Sequence, residues 1–171
     1  MATSSGKKHR KQQMIQDMGF APTPEKRFSS KFPELKPLTY AQQDYIDAMR
    51  ESDVVFALGS AGTGKTWVAT HYAAEQLYYK KVDKVIITRP AVEACGEQLG
   101  FLPGDLQEKF LPYLLPYMET FNELLGKSFT EYCLKTGAIE AVPLAFMRGR
   151  SFKDCIVLGD ELENATPMQL K

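Results

Sequence analysis

One run in this chain has the residue types and spacing to hold a phosphate chain: Gly59-Ser60-Ala61-Gly62-Thr63-Gly64-Lys65-Thr66. It reads G-x-x-x-x-G-K-T, the phosphate-loop pattern. Glycines let the backbone turn its N–H groups inward around phosphate oxygens. A helix opening near Gly64 adds the positive end of its dipole. Lys65 supplies a point charge toward the β- and γ-phosphates, and the Thr66 hydroxyl is a ligand for Mg2+. If Lys65 were only a solvated surface charge, the glycine spacing would have no explanation.

A loop that supports triphosphate hydrolysis also needs a carboxylate near the metal, at the end of a buried strand. Asp160 meets this description, following Cys155-Ile156-Val157-Leu158-Gly159. Glu161 comes next, placed to orient or deprotonate an attacking water. The plain alternative for the pair is an exposed turn after the strand. The adjacent acids bear on reaction class: a small-molecule kinase uses its substrate's hydroxyl as nucleophile and has less need of a water-activating acid.

Apolar runs supply the elements that must position these groups. Residues 54–58 (Val-Val-Phe-Ala-Leu) read as a buried strand leading into the loop, and Ala69, Tyr72, Ala73 and Leu77 share one helical face after it. Residues 85–88, 139–142 and 155–158 are three further strand candidates. Thr39 caps a helix with Gln42 three residues on, a capping-box spacing that gives Gln42 a local explanation. The stretch 105–125 is helical but interrupted by Pro112 and Pro116, with a second helix expected to start near Pro116. Gly126 and Gly137 bound a short helix after it. Residues 91–104 form a long glycine- and proline-punctuated connection. Strands alternating with helices predict an α/β fold with a mostly parallel sheet flanked by helices.

Composition sets the outer limits. The chain has 171 residues, 44% hydrophobic and 25% charged, enough for one globular domain with a sizeable core. Net charge is zero, yet residues 1–36 carry a local +5 and the remainder −5. The basic cluster Lys7, Lys8, His9, Arg10 and Lys11 is either a solubilising tail or an electrostatic contact for nucleic acid. With four prolines between Phe20 and Leu38, residues 1–37 read as a basic, flexible arm. Cys95, Cys133 and Cys155 are sparse and odd in number, which suits a reducing compartment. His9 and His71 lack metal-ligand neighbours. No apolar run is long enough to span a membrane, and a cytoplasmic location is expected.

Three further stretches carry a resemblance: Arg89-Pro90-Ala91-Val92-Glu93-Ala94, Gly100-Phe101-Leu102-Pro103-Gly104-Asp105-Leu106-Gln107-Glu108-Lys109 and Pro143-Leu144-Ala145-Phe146-Met147-Arg148-Gly149-Arg150. With the loop and the acid pair, residues 38–171 resemble the PhoH family of phosphate-starvation-inducible-type ATPases. The resemblance implies a P-loop NTPase fold similar to a superfamily 1 helicase core. It also implies ATP with Mg2+, RNA or single-stranded nucleic acid as partner, and a ring-like homo-oligomer. Matching positions, Gln42 is expected to contact adenine, while Arg89 and Arg148 are as consistent with structural ion pairs as with phosphate or RNA contacts.

Two departures from the family pattern stand out. Cys95 lengthens the Glu93-Ala94-Cys95-Gly96-Glu97 loop, and Glu163 replaces a glutamine in Asp160-Glu161-Leu162-Glu163-Asn164. A carboxylate at Glu163 would repel a γ-phosphate. The resemblance further implies a strand between the acidic and phosphate-loop strands, and an arginine finger, both beyond Lys171. The domain is therefore expected to be incomplete on its C-terminal side. The leading expectation is Mg-dependent ATP hydrolysis coupled to nucleic-acid remodelling. A nucleotide-binding fragment with little turnover and a small-molecule kinase are the alternatives.

Overall fold

The apolar run after Asp83 forms β1 (Lys84–Thr88), which pairs in parallel with β2 (Ile139–Ala141) on one side and β3 (Cys155–Gly159) on the other. The structure, a computed structural model, describes residues 31–90 and 106–169, with side chains over 31–90 and 114–169. The basic cluster near the N-terminus, the long connection at 91–104 and the reshaped loop around Cys95 lie outside the described residues. Val85, Ile86, Ile87 and Thr88 are all buried, as a central parallel strand covered on both faces requires. The fold is thus α/β, with a parallel sheet flanked by helices.

Among the described residues four α-helices accompany the sheet. Helix α1 (Tyr40–Glu51) is capped by Thr39, whose hydroxyl accepts from the Gln42 N–H at 3.2 Å. Helix α2 (Lys65–Tyr78) follows the glycine loop; α3 (Leu106–Leu125) and α4 (Lys127–Thr136) fill the crossover from β1 to β2. Ala73, Ala74 and Leu77 of α2, Leu114, Tyr117, Phe121 and Leu125 of α3, and Cys133 of α4 close one core with Val85, Ile87, Ile139 and Leu158. The small Ala73–Ala74 pair leaves room for α3 to approach α2. A second, smaller cluster joins α1 to α2 through Leu35, Ile46 and Val68, with Tyr72 packed against it. Burial on α2 therefore spans more than the single face that its spacing suggests.

Three expectations need correction. Residues 54–58 do not form a strand: they have no regular secondary structure and no ladder partner among the described residues, and Val54, Phe56 and Leu58 are 71%, 79% and 93% exposed. The outer edge of β3 has no partner strand either among the described residues, where the sheet order is β2-β1-β3. A local apolar pattern can favour a strand, but it cannot supply the neighbour whose hydrogen bonds make one.

The helix expected to break at Pro112 and Pro116 runs on as a single α3 of twenty residues. Its tertiary face explains the tolerance. Leu114, Tyr117, Thr120 and Phe121 are buried while Pro116 lies exposed, so the lost backbone bond sits on the solvent side, where water can take its place. Finally, Phe32 and Leu35 are buried, so packed structure begins inside the proline-rich stretch that composition assigns to an arm.

Candidate nucleotide-binding site

The loop at 59–64 turns on left-handed glycines. Gly64 has φ +83° and forms the N-cap of α2 without a side-chain cap. Its left-handed backbone favours glycine, and a Cβ there would sit 3.1 Å from Gln42 Nε2 and press on that side chain. The Lys65 ammonium donates to the carbonyls of Gly59 and Ser60, each at 2.7 Å, and the Thr63 hydroxyl donates to Ser60 O at 3.0 Å. Lys65 thus lies folded along the inside of the loop. Thr66 follows in the first turn of α2, where N–H groups lack intrahelical partners, and its carbonyl accepts from the Thr70 hydroxyl at 2.7 Å. Ala61 and Gly62 form the exposed crest.

Gln42 joins this loop to α1. Its Nε2 donates to Thr63 O at 3.0 Å, and its Oε1 accepts from the Leu38 N–H at 2.7 Å. The capping box is therefore half formed: Thr39 caps Gln42, but the Gln42 side chain bonds elsewhere. Its local explanation is insufficient, since the amide also bridges to the loop twenty-one residues on.

The acid pair is positioned by the sheet. Thr88 is in register with Gly159, and the Asp160 N–H donates to Thr88 O at 3.0 Å, extending the ladder past the end of β3. Glu161 then adopts a left-handed backbone, φ +50° and ψ +35°, an uncommon state for a non-glycine residue. Its N–H donates to Asp160 Oδ1 at 3.2 Å, and its carboxylate pairs with the Arg89 guanidinium. The Tyr117 hydroxyl of α3 donates to the Asp160 carboxylate. Burial, that hydrogen bond and the charge of Asp160 together hold the Tyr117 phenol far above its ordinary range. Burial, then the Asp160 carboxylate, also raise the Tyr45 phenol on α1.

Gln42 of α1 touches the loop, and the phenol of Tyr45, three residues on along the same helical face, feels the charge of Asp160. Asp160 and Glu161 follow the C-terminal end of β3, the end of a parallel sheet where α/β folds place their ligands, and Gln42 is joined to the loop at Thr63. Arg148 lies exposed in a turn, and Glu163 lies exposed in a short 3-10 helix, Leu162–Asn164. Tyr117 and Tyr45 were not singled out from sequence. Their available signal was a phenol at an apolar helix position, which usually needs a hydrogen-bonding partner when buried.

A glycine loop opening a helix and an acid pair beyond a parallel strand define the class as a P-loop NTPase. The profile of the PhoH-like protein family matches residues 34–171, and the chain belongs to that family. It is 47% identical over 143 residues to a PhoH-like protein of Bacillus subtilis (strain 168), covering 84% of this chain and 44% of that relative. It is likewise 47% identical over 133 residues to Protein PhoH of Escherichia coli (strain K12), covering 77% and 37%. A PhoH-like protein of Synechocystis is 47% identical over 133 residues, covering 78% and 40%. The chain thus spans less than half the length of these relatives. No helix among the described residues is long and apolar enough to cross a membrane.

Proposed function

We propose that the chain binds ATP at residues 59–66 and hydrolyses it with Asp160 and Glu161, as part of a PhoH-type ATPase acting on RNA or single-stranded nucleic acid in the cytoplasm. The observation that supports this reading is the glycine loop at the start of α2, closed by Lys65 on the Gly59 and Ser60 carbonyls and anchored to α1 by Gln42, in a chain that carries Asp160 and Glu161 beyond β3. Phosphate oxygens entering the loop replace the Gly59 and Ser60 carbonyls as partners of Lys65. The backbone N–H groups at the start of α2 face the same phosphates.

The donor chemistry fits Mg2+. Thr66 and Asp160 offer hard oxygens, and no cluster of three His, Cys, Asp or Glu that could hold a metal occurs among the described residues. That set suits a small cation that keeps several waters and shares substrate phosphates, rather than one caged by protein. Bound there, Mg2+ supplies neutralisation of charge on the β- and γ-phosphates. Tyr117 fixes the Asp160 carboxylate, and Glu161 orients the attacking water and accepts its proton. Gln42 is the proposed adenine contact.

The test is Mg-dependent ATP hydrolysis with and without single-stranded RNA, comparing the chain with Lys65→Ala and Glu161→Gln. Loss of the base is expected to lower kcat by about 10²–10⁴. Turnover by Glu161→Gln equal to that of the unaltered chain removes Glu161 from this role. A second reading, nucleotide binding with little turnover, draws support from the exposed segment 54–58 beside the loop. Calorimetry showing ATP binding without hydrolysis selects it. A phosphorylated metabolite without bulk ATP hydrolysis selects a kinase.

A further inference from the structure

The register of β1 against β3 has a chemical result at the strand ends. Thr88 and Gly159 are partners, so the next residues leave the sheet side by side: Arg89 from one strand, Asp160 and Glu161 from the other. The guanidinium Nη2 of Arg89 closes on Glu161 Oε2. Arg89 is thereby placed on the carboxylate assigned above to the attacking water.

Two features mark this pair as exchangeable. The Arg89 and Glu161 side chains remain 26% and 38% exposed, so water and mobile anions reach both, and an ion pair this open contributes little net stability. The position of Glu161, moreover, does not depend on Arg89 alone. Its left-handed turn is held by its own N–H on Asp160 Oδ1 and by its carbonyl, which accepts from the Asn164 N–H at 3.0 Å. The backbone presents the carboxylate at this point whether or not the guanidinium stays.

A guanidinium fork accepts a phosphate as readily as a carboxylate, with the same paired geometry. We propose that Arg89 is a phosphate-exchange residue. Its guanidinium passes from the Glu161 carboxylate, the partner seen here, to a phosphate oxygen of a bound ligand, and the transfer frees Glu161 to engage water. Arg89 is then a positioning residue, acting through Glu161, and it couples phosphate occupancy to the availability of the base. This rests on the ATPase reading above and adds a control to it. The phosphate has two possible sources: the γ-phosphate of the nucleotide, or the backbone of a single-stranded nucleic acid.

Equilibrium binding separates the possibilities without requiring turnover. Mg–AMP-PNP, Mg–ADP and a single-stranded oligouridylate are titrated into the chain, Glu161→Gln, Arg89→Ala and the double variant. If Arg89 must leave Glu161 to hold a phosphate, Glu161→Gln tightens binding by about tenfold, within the coupling expected for groups in direct contact. That gain disappears in the Arg89→Ala background. Gain for AMP-PNP but not ADP assigns the γ-phosphate; gain for the oligouridylate assigns the polynucleotide backbone. Arg89→Lys, which keeps the charge without the fork, is expected to retain part of the gain and guards against loss of fold in the alanine variant. Equal tightening with and without Arg89 would reflect only the removal of a repelling carboxylate, and overturns the exchange. Binding without any gain overturns it as well, leaving the ATPase reading intact. If none of the probes binds any variant, both readings fall together.

Discussion

The Tyr117 hydroxyl, carried on the buried side of α3, donates to the carboxylate of Asp160 beyond the end of β3. Tyr117 is 4% exposed, so its ring is held by the core while its oxygen serves the site. A group that orients a metal-ligating carboxylate typically contributes 10–100-fold to metal affinity. Tyr117→Phe is accordingly expected to raise the Mg2+ concentration needed for half-maximal nucleotide binding by about tenfold. Nucleotide affinity without Mg2+ should stay the same. Titrating Mg2+ at fixed nucleotide distinguishes this from a packing role, which leaves the Mg2+ requirement unmoved.

Gln42 offers a second test, because both ends of its amide are engaged, one by Leu38 N–H and the other by Thr63 O. Gln42→Glu keeps the shape, loses the donor to Thr63 and sets a negative charge beside the loop. ATP affinity is expected to fall by about tenfold or more, since the loop loses its tether to α1 at Thr63 O and a carboxylate faces phosphate. Helicity should change little, as Thr39 still caps α1. Fluorescence titration with a labelled ATP and far-ultraviolet circular dichroism read the two effects separately. A parallel fall in both would make Gln42 a helix residue only.

How much of this was legible before folding depends on the range of the interaction. The glycine loop, β1, β2 and β3 are written locally: turn residues at fixed offsets and short apolar runs bounded by breakers. The glycine after α4, with φ +72° at Gly137, stops that helix as its position predicts. What sequence did not show is set by neighbours. Residues 54–58 have the composition of a strand but no hydrogen-bonding partner among the described residues. Pro116 stands in α3 because the fold turns it outward. Phe32 looks like linker until α2 presents His71 and Tyr78 for it to pack against. The meeting of Tyr117 with Asp160 depends on where α3 crosses the sheet, which no spacing of residues encodes.

Away from the site, Glu140 of β2 links three elements of sequence. It accepts from Lys84 on β1 at 3.1 Å and from Arg150 at 2.8 and 3.1 Å. Burial alone would raise its carboxyl, but the hydrogen bonds from Arg150 and Lys84 and their charges outweigh it and hold the group below its ordinary value. A carboxyl lowered in the folded chain adds stability above its unfolded pKa and loses it as pH falls through the folded one. Glu140→Gln is therefore expected to cost about 1 kcal/mol at pH 7. The difference should shrink as pH drops below about 4.5 and the carboxylate of the unaltered chain takes up its proton. Urea unfolding at a series of pH values checks this. A difference that persists at the acid end would trace the effect to packing instead.

The exposed segment before the loop gives the sharpest contrast between local pattern and fold. Val-Val-Phe-Ala-Leu at 54–58 would, as a buried strand, make Phe56→Lys severely destabilising, since emptying a buried aromatic position alone costs about 3–5 kcal/mol. In this structure Phe56 is 79% exposed, and the substitution is expected to change unfolding free energy by no more than about 0.5 kcal/mol. Its effect should fall on association instead. Val54, Phe56 and Leu58 are exposed, and β3 is an edge strand among the described residues, with Val157 41% exposed. Apolar segments and unprotected strand edges of this kind pair with other chains. The 171-residue chain is therefore expected to self-associate with rising concentration, and Phe56→Lys or Val54→Lys to shift it toward monomer. Light scattering coupled to size-exclusion chromatography, beside urea unfolding of the same variants, reads both quantities. A Phe56→Lys chain that loses several kcal/mol of stability would show the segment to be covered in solution. One that keeps its stability and associates less places these side chains at an intermolecular surface.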